Sequence, residues 1–244
     1  MDRSLLTLSR LLLKCDYEYG VTSLSNPDPS RSGYPANPSS SLQISASLLT
    51  AILQPGLSSN PTLQPTSIAT EVLDILVTHG ENIPSIAAQY FRTIGSWLPI
   101  VVPSQIESEI QRSRNESSLE FSTLLLCMHM VTKVPGAANT DAMKTPIYYL
   151  AKLLFSVQSS SGKLSMEIAQ AGTLLTLYEH GQGMLAEAQT TMGITSIMGV
   201  KILTAERKKR TPNIQDMEVG YLWWGIVLLD RYGLTSHILL TNFS

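Results

Sequence analysis

The segment from Ser117 to Gly136 constrains the fold of this chain more than any other part of the sequence. Ser117-Ser118-Leu119-Glu120 has the form of a capping box, in which a serine and a glutamate satisfy amides left unpaired at the start of a helix. An apolar run from Leu124 to Val131 follows, and Pro135-Gly136 ends it. Because the run is apolar nearly all round, we expect a helix surrounded by other helices.

Helical periodicity recurs along most of the chain, and Pro, Gly or Ser/Asn-rich breaks separate the periodic segments. The other predicted helices cover 4–15, 42–53, 67–79, a segment from 85, a segment from the N-cap pair Thr145-Pro146 to 158, 168–181, 184–203 and 216–232. Pro99 and Pro103 bracket the short apolar stretch 100–102, which we expect to be a bend or an extended piece. No strand alternation of useful length occurs, so the predicted fold is all-α, an irregular multi-helix bundle.

Three parts are predicted along the chain. Residues 1–19 form a short helical N-terminal segment, and residues 20–41 form a linker rich in Pro, Ser and Asn. Four prolines in that linker prevent both helix and central strand, so we expect it to be disordered. Residues 42–244 are predicted to form one helical regulatory domain, because 43% apolar residues supply enough material for a sizeable core.

The composition argues against binding driven by charge. Only 15% of the residues are charged and the net charge is −2, so no general attraction to phosphate backbones or anionic membranes is available. The longest apolar runs, 124–131 and 221–229, are far shorter than the roughly 20 residues that a bilayer requires. We expect a protein without a membrane anchor or a secretory signal.

The sequence carries no recognisable catalytic or metal motif, so we predict no enzyme activity, no cofactor and no metal. Cys127 and His129 are two apart on a helix and point in different directions, which predicts packing roles rather than metal ligation. Glu179-His180 lies at a predicted helix end, where a histidine suits the helix dipole. Two acids near a predicted helix start, Asp216 and Glu218, are explained by capping in the same way.

Two further features have both a functional and a structural interpretation. The run Arg207-Lys208-Lys209-Arg210 is a candidate nuclear import signal, and the alternative is a solvated loop. Four methionines and a tryptophan pair are candidates to line a pocket for a hydrophobic small molecule, with core packing as the favoured alternative. These residues are Met184, Met192, Met198, Met217, Trp223 and Trp224.

A family resemblance comes from the order of several segments. LWWGIVLLDR at 222–231 resembles the helix with paired tryptophans and Leu-Asp-Arg of the fungal-specific transcription factor domain. This domain is the middle homology region of fungal binuclear zinc-cluster regulators. Gln89-Tyr90-Phe91 followed by Trp97-Leu98-Pro99-Ile100-Val101 resembles its opening segment, and 124–130, 147–152 and 169–179 resemble its next buried helices. Together the segments span about residues 67–234.

The resemblance implies architectural roles for a small set of residues. The indoles of the tryptophan pair would fill the core, and the Asp-Arg pair would fix the end of the helix. The set comprises Trp97, Pro99, Trp223, Trp224, Asp230 and Arg231.

The chain departs from the family pattern in three ways. Val219-Gly220-Tyr221 stands where the family has arginines, and two cysteines in the whole chain cannot form a six-cysteine zinc cluster. Direct sequence-specific DNA binding is therefore not expected. The family domain also usually continues with several more helices after the position of Leu234, whereas this chain stops at Ser244, so we expect the domain here to be incomplete at its C-terminal end.

We therefore predict a transcription-regulator-like helical module that works in the nucleus through a protein partner or a hydrophobic small-molecule effector. Control of a secondary-metabolite gene cluster is one form that this role would take. A generic helical scaffold and a non-functional truncated regulator are the alternative functions, and the cytoplasm is the alternative location.

Overall fold

The computed structural model describes Ile52 and residues 65–78, 81–113, 118–133, 145–208 and 214–241. Eight α-helices lie in these ranges, together with a short 3-10 turn, Ile94–Ser96, after the second of them. In chain order the helices are α1 Pro65–Thr78, α2 Ile83–Arg92, α3 Pro103–Ser113, α4 Leu119–Thr132, α5 Pro146–Ser160, α6 Met166–Gly181, α7 Leu185–Arg207 and α8 Ile214–Thr241.

The all-α prediction is confirmed, because the described ranges are mostly helical and contain no strand. The predicted helix at 1–19 and the predicted linker at 20–41 lie outside the described residues. Of the predicted helix at 42–53 only Ile52 is described, as a buried helical residue. The division of the chain at residue 41 stays a prediction.

Helix α4 lies at the centre of the bundle, as its apolar sequence predicts. Every residue from Phe121 to Met130 is buried, and the helix packs against α1, α2, α5 and α6. Three successive leucines, 124–126, have no exposed surface. Since burial of a leucine side chain is worth about 1.5–3 kcal/mol, this short stretch is a large contributor to the stability of the core.

Helix α6 is a second central helix, and it packs against α4, α5, α7 and α8. Its residues from 168 to 177 are all buried although several are polar. The hydroxyls of Thr173 and Thr176 donate to carbonyl oxygens of their own helix, at 2.8 and 2.9 Å, which satisfies them inside the core. Gly172 allows a close approach, since a Cβ there would lie 2.6 Å from Phe155 and 2.3 Å from Thr195.

The helix starts follow local capping rules. Thr145 is the N-cap of α5, as predicted, and its hydroxyl accepts a hydrogen bond from the amide of Tyr148 at 3.2 Å. The cap of α4 is shifted by one residue from the prediction: Ser118, not Ser117, accepts from the amide of Phe121. Glu120 therefore receives a hydrogen bond from the hydroxyl of Ser118 rather than reaching back to an N-cap amide, so the capping-box prediction is wrong in its detail.

Two helices differ from the prediction. Helix α3 was not expected, because its sequence has only two apolar residues, Ile106 and Ile110, at helical spacing. The stretch 98–102 before it is non-helical, as expected. Helix α8 runs to Thr241 rather than to 232, because Gly233 keeps a helical conformation and a single glycine costs a helix only about 1 kcal/mol.

None of the described helices combines the length and apolar character needed to cross a membrane.

Candidate functional site

The basic run begins on the last turn of α7. Arg207 ends the helix, Lys208 is its C-cap, and both side chains are exposed. Lys209 and Arg210 lie outside the described residues. The described half of the run is therefore accessible to a partner, and its role as an import signal stays a prediction.

The Trp97 to Pro99 segment packs between α2 and α8. Trp97 is half-buried against the core, whereas Pro99 is exposed. The next residue, Ile100, is buried and lies so close to α8 that a Cβ on Gly225 would be 2.4 Å from its side chain. This contact anchors the bend, and the architectural role of Trp97 and Pro99 stays a prediction.

The expectation that both indoles of the tryptophan pair fill the core is wrong. Trp224 is 72% exposed, whereas Trp223 is half-buried and lies over Gly199 of α7. Adjacent residues on a helix are about 100° apart, so only one of two neighbouring indoles can face a given packing partner. Here Trp223 lies on the face of α8 that packs against α7 and the core, and Trp224 lies on the outer side of the helix.

The expectation that Asp230-Arg231 fixes a helix end is also wrong. Both residues lie well inside α8, which continues for ten residues beyond Arg231, and both side chains are exposed. Since the free amides and carbonyls of a helix occur within four residues of its ends, this pair is too far inside to cap either end.

Cys127 and His129 are buried on α4, as the packing interpretation predicts. Burial raises the pKa of the Cys127 thiol well above its ordinary value, and the nearby charge of Glu179 acts in the same direction. The thiol is therefore an inert packing group rather than a nucleophile. No cluster of His, Cys, Asp or Glu within the described ranges could hold a metal ion.

The methionines and tryptophans are not brought together around a pocket. Met184, Met192 and Met198 are buried in the core, which is the packing role favoured for them. Met217 is 60% exposed, so core packing is wrong for this one. It lies on the same side of α8 as Trp224, two turns away along the helix.

Sequence reasoning missed a buried polar network around Glu179 on α6. This carboxylate has no exposed surface. Its Oε1 accepts from the hydroxyl of Tyr148 at 2.9 Å and from Nζ of Lys152 at 2.6 Å, and its Oε2 accepts from the hydroxyl of Thr191 at 2.6 Å. Lys152 also donates to the Thr191 hydroxyl. The network therefore links α5, α6 and α7 through one carboxylate.

The contacts around this network indicate that it stabilises the fold. Burial raises the pKa of the Tyr148 phenol well above its ordinary value, and the adjacent Glu179 charge raises it further, so the phenol keeps its proton and donates it. The Tyr148 ring stacks on Tyr178, with 5.8 Å between centroids. The spacing of Tyr148 and Lys152, four residues apart on one helix face, was the available sequence signal. Its partner on α6 could not be identified from the sequence.

A cleft of about 500 Å³ opens between α3, the start of α6, the end of α7 and the start of α8. Its lining includes four glutamates and one arginine beside a few apolar side chains. The charged residues are Glu109, Arg112, Glu167, Glu206 and Glu218. A cleft with this charge balance repels phosphates and favours cationic groups over neutral apolar ones.

Two carboxylates in the cleft are difficult to ionise. Burial raises the pKa of Glu109 above its ordinary value, although the ion pair with Arg112 opposes the shift. Burial and then the charge of Glu167 raise the pKa of Glu218. Glu218 is the fifth residue of α8 and lines the cleft, so helix capping does not explain it, contrary to the sequence interpretation.

A patch on α8, which we call the α8 stripe, consists of Met217, Tyr221, Trp224 and Leu228. The first three are exposed by 60%, 38% and 72%, and Leu228 is half-buried. Exposed large apolar groups that line up on one helix face are a feature of contact surfaces. The stripe is thus the candidate protein-binding surface, and the acidic cleft is the candidate small-molecule site.

Comparison with known proteins gives one kind of functional information. The chain is 27% identical to transcription factor BOA15 of Botryotinia fuckeliana (strain B05.10) over 143 residues, which cover 58% of this chain and 76% of that protein. No family model matches the chain, and no solved structure matches it. The chain is therefore related to a fungal transcription factor, and its membership of the particular domain that we expected at 67–234 stays a prediction.

Proposed function

We propose that this chain is a helical module that regulates transcription through protein contacts rather than by binding DNA sequence-specifically itself. The similarity to transcription factor BOA15, which extends over more than half of the chain, is the observation that carries this proposal. In this role the module is a non-enzymatic regulator in the nucleus, and the genes of a secondary-metabolite cluster are its proposed targets.

Of the two kinds of partner considered, the structure favours a protein over a hydrophobic small molecule. The cleft is lined by carboxylates, and placing a neutral apolar ligand beside them would remove their hydration without replacing it. The α8 stripe, in contrast, offers aromatic and methionine side chains to solvent, the residue types that are enriched at protein interfaces. Protein contact is therefore the proposed mode of action.

The proposed function is tested by deleting the gene in its source organism and measuring all transcripts. We expect a defined set of genes, clustered on the chromosome, to change expression and to recover when the gene is returned. Unchanged transcripts in the deletion strain, under conditions in which the protein is present, would contradict the proposal. The purified chain should show no sequence-specific DNA binding. If it bound a particular DNA sequence, the chain would act on DNA directly, and the proposal that it acts through protein contacts would be wrong.

The nuclear location is tested with a fluorescent fusion of the full chain. Replacing Arg207, Lys208, Lys209 and Arg210 by alanine should shift the fusion from the nucleus to the cytoplasm, if this run carries the import signal. A matched control replaces three exposed or half-exposed lysines elsewhere, Lys133, Lys163 and Lys201, and should leave the location unchanged. A wild-type fusion that stays in the cytoplasm would exclude the nuclear role.

A further inference from the structure

The acidic cleft brings together residues that are far apart in sequence. One glutamate comes from each of four helices: Glu109 from α3, Glu167 from α6, Glu206 from α7 and Glu218 from α8. The rest of the lining includes apolar side chains together with hydroxyl and amide groups, and a volume of about 500 Å³ lies in the range of small-molecule sites. The cleft is therefore a cavity of mixed character that the tertiary structure assembles.

Glu109 is the residue whose surroundings point most directly to a bound cation. Its side chain is only 8% exposed, and its Oε1 accepts from the guanidinium of Arg112, which is itself 69% exposed. Within the described residues its Oε2 accepts no hydrogen bond, and this oxygen is not sealed off from the cleft. Burial still raises the pKa of Glu109 above its ordinary value, so Arg112 does not compensate fully for the lost hydration. One oxygen of a nearly buried carboxylate thus remains for a donor from outside the chain.

The carboxylates of the cleft also repel one another. Burial is the first cause of the raised pKa of Glu109 and of Glu218, and the charge of Glu167 raises both further. Among the described residues that line the cleft, Arg112 is the only one with a positive side chain. A further positive charge in the cleft would ease this repulsion and favour the ionised form of the acids.

The lining indicates which kind of cation fits. No group of His, Cys, Asp or Glu in the described part of the chain is arranged to hold a metal ion, so the carboxylates do not converge on one point. Apolar side chains lie among them, and one, Leu164, is 46% exposed. A chain of methylene groups with an ammonium at each end matches both features. Its ammonium groups pair with separate carboxylates, and its methylene groups cover apolar side chains.

We propose that the acidic cleft binds a small aliphatic diamine or polyamine. The ammonium groups pair with the carboxylates of Glu109, Glu167 and Glu218, and the methylene chain lies against Leu164 and Ile202. A lysine side chain of a protein partner carries the same ammonium but only one charge, so it would leave part of the repulsion in place. Since ion pairs at partly exposed sites are weak, we expect a dissociation constant on the order of 0.1 mM. This site goes beyond the proposed function and does not depend on it.

Isothermal titration calorimetry of the full chain at pH 7 tests the proposal with ligands of graded charge. We expect 1,5-diaminopentane to bind and spermidine, with one more ammonium, to bind at least as tightly. Pentane-1,5-diol has the same chain length without charge and is the matched control ligand, for which no binding is expected. A diol that binds as tightly as the diamine, or a diamine that shows no binding up to about 10 mM, would overturn the proposal.

Two variants place the ligand in the cleft. Glu218→Gln should weaken the binding of 1,5-diaminopentane about fivefold, and the variant should fold because burial already favours the neutral form of this side chain. Glu107→Gln is the matched control, since it removes the same charge from an exposed residue of α3 that does not line the cleft. It should bind as the wild type does, and circular dichroism checks that both variants keep their helix content.

Two further outcomes would contradict the site. Equal affinities of Glu218→Gln and the wild type, or equal losses in Glu218→Gln and Glu107→Gln, would show that the amine does not bind in the cleft. A short blocked peptide with two adjacent lysines distinguishes the source of the ammonium groups. If this peptide bound more tightly than spermidine, the cleft would be a site for a basic protein segment and the proposal of a free amine would be wrong. None of these results bears on the transcript measurements.

Discussion

The ammonium of Lys152 lies 2.6 Å from the carboxylate of Glu179, in an ion pair whose acid is fully buried and whose base is a quarter exposed. The pair joins α5 to α6, and Thr191 of α7 donates to the other carboxylate oxygen. Because the carboxylate has no access to water, its hydration is replaced by these three helices together. One buried acidic side chain of α6 therefore binds donors from both α5 and α7.

Removing the base of this pair should be strongly destabilising. Lys152→Met leaves the Glu179 charge buried with only hydroxyl donors, and we expect the free energy of unfolding to fall by about 3–5 kcal/mol. Lys163→Met is the matched control, because it breaks a pair of the same type with an exposed lysine and should cost less than about 1 kcal/mol. Urea denaturation followed by circular dichroism measures both. Equal losses in the two variants would show that the buried ion pair stabilises the fold no more than the exposed one does.

Two glycines on helices should respond to alanine in opposite directions. Gly172→Ala places a Cβ 2.3 Å from the hydroxyl oxygen of Thr195 and 2.6 Å from the Phe155 ring, so α5 or α7 must move and we expect a loss of about 1–3 kcal/mol. Gly193→Ala meets nothing within 4 Å in the interior of α7 and should gain about 0.5–1 kcal/mol from helix propensity. Thermal unfolding of both variants distinguishes them. A gain at both positions would mean that α6 is not packed as closely as the structure shows.

The N-cap of α5 makes a contribution to stability that can be measured. Thr145→Ala removes the acceptor for the amide of Tyr148 together with the hydrogen bond between the Thr145 and Tyr178 side chains, and a loss of about 1 kcal/mol or more is expected. Thr204→Ala is the comparison, since that exposed threonine donates only to a carbonyl of its own helix, and alanine should be neutral or gain a few tenths of a kcal/mol. Chemical denaturation gives both values, and a Thr145 variant as stable as the wild type would exclude the cap as a stabilising contact.

His180 should make the stability of the chain depend on pH. It lies at the end of α6 against Tyr232 and Gly233 of α8, and burial lowers its pKa below the ordinary value of 6.5. As the pH falls below about 6.5, the unfolded chain takes up the proton before the folded chain does, so the free energy of unfolding decreases. The decrease ends once the pH is below the folded pKa, because both states are then protonated.

His180→Phe keeps an aromatic ring beside Tyr232 and removes the titration. Unfolding by urea at a series of pH values from 7 downward should show a smaller loss of stability in this variant than in the wild type. The two chains should differ most on the acidic side of the ordinary histidine pKa. Parallel pH profiles would mean that His180 ionises in the folded chain as it does in the unfolded one.

Much of the fold could be predicted because helices are specified by residues close in sequence. The apolar run of α4, the Thr145 cap of α5 and the Gly-rich end of α6 each act within about four residues of the position that they determine. Errors of one residue, as at Ser118, come from competition between neighbouring serines for the same cap. Helix α3 was missed because two isoleucines give too weak a periodic signal, although the surrounding bundle buries Ile106 completely.

Which face of each helix is covered was decided by the tertiary structure. The sequence predicts that Trp223 and Trp224 belong to one apolar helix, but only the placement of α7 leaves the second indole in solvent. The sequence also presents Tyr148, Lys152 and Glu179 as three separate polar residues, and only the packing of α5 on α6 joins them. Helix formation depends on contacts within a few residues of the chain. Burial and ion pairing depend on segments tens of residues apart, whose relative positions no local pattern encodes.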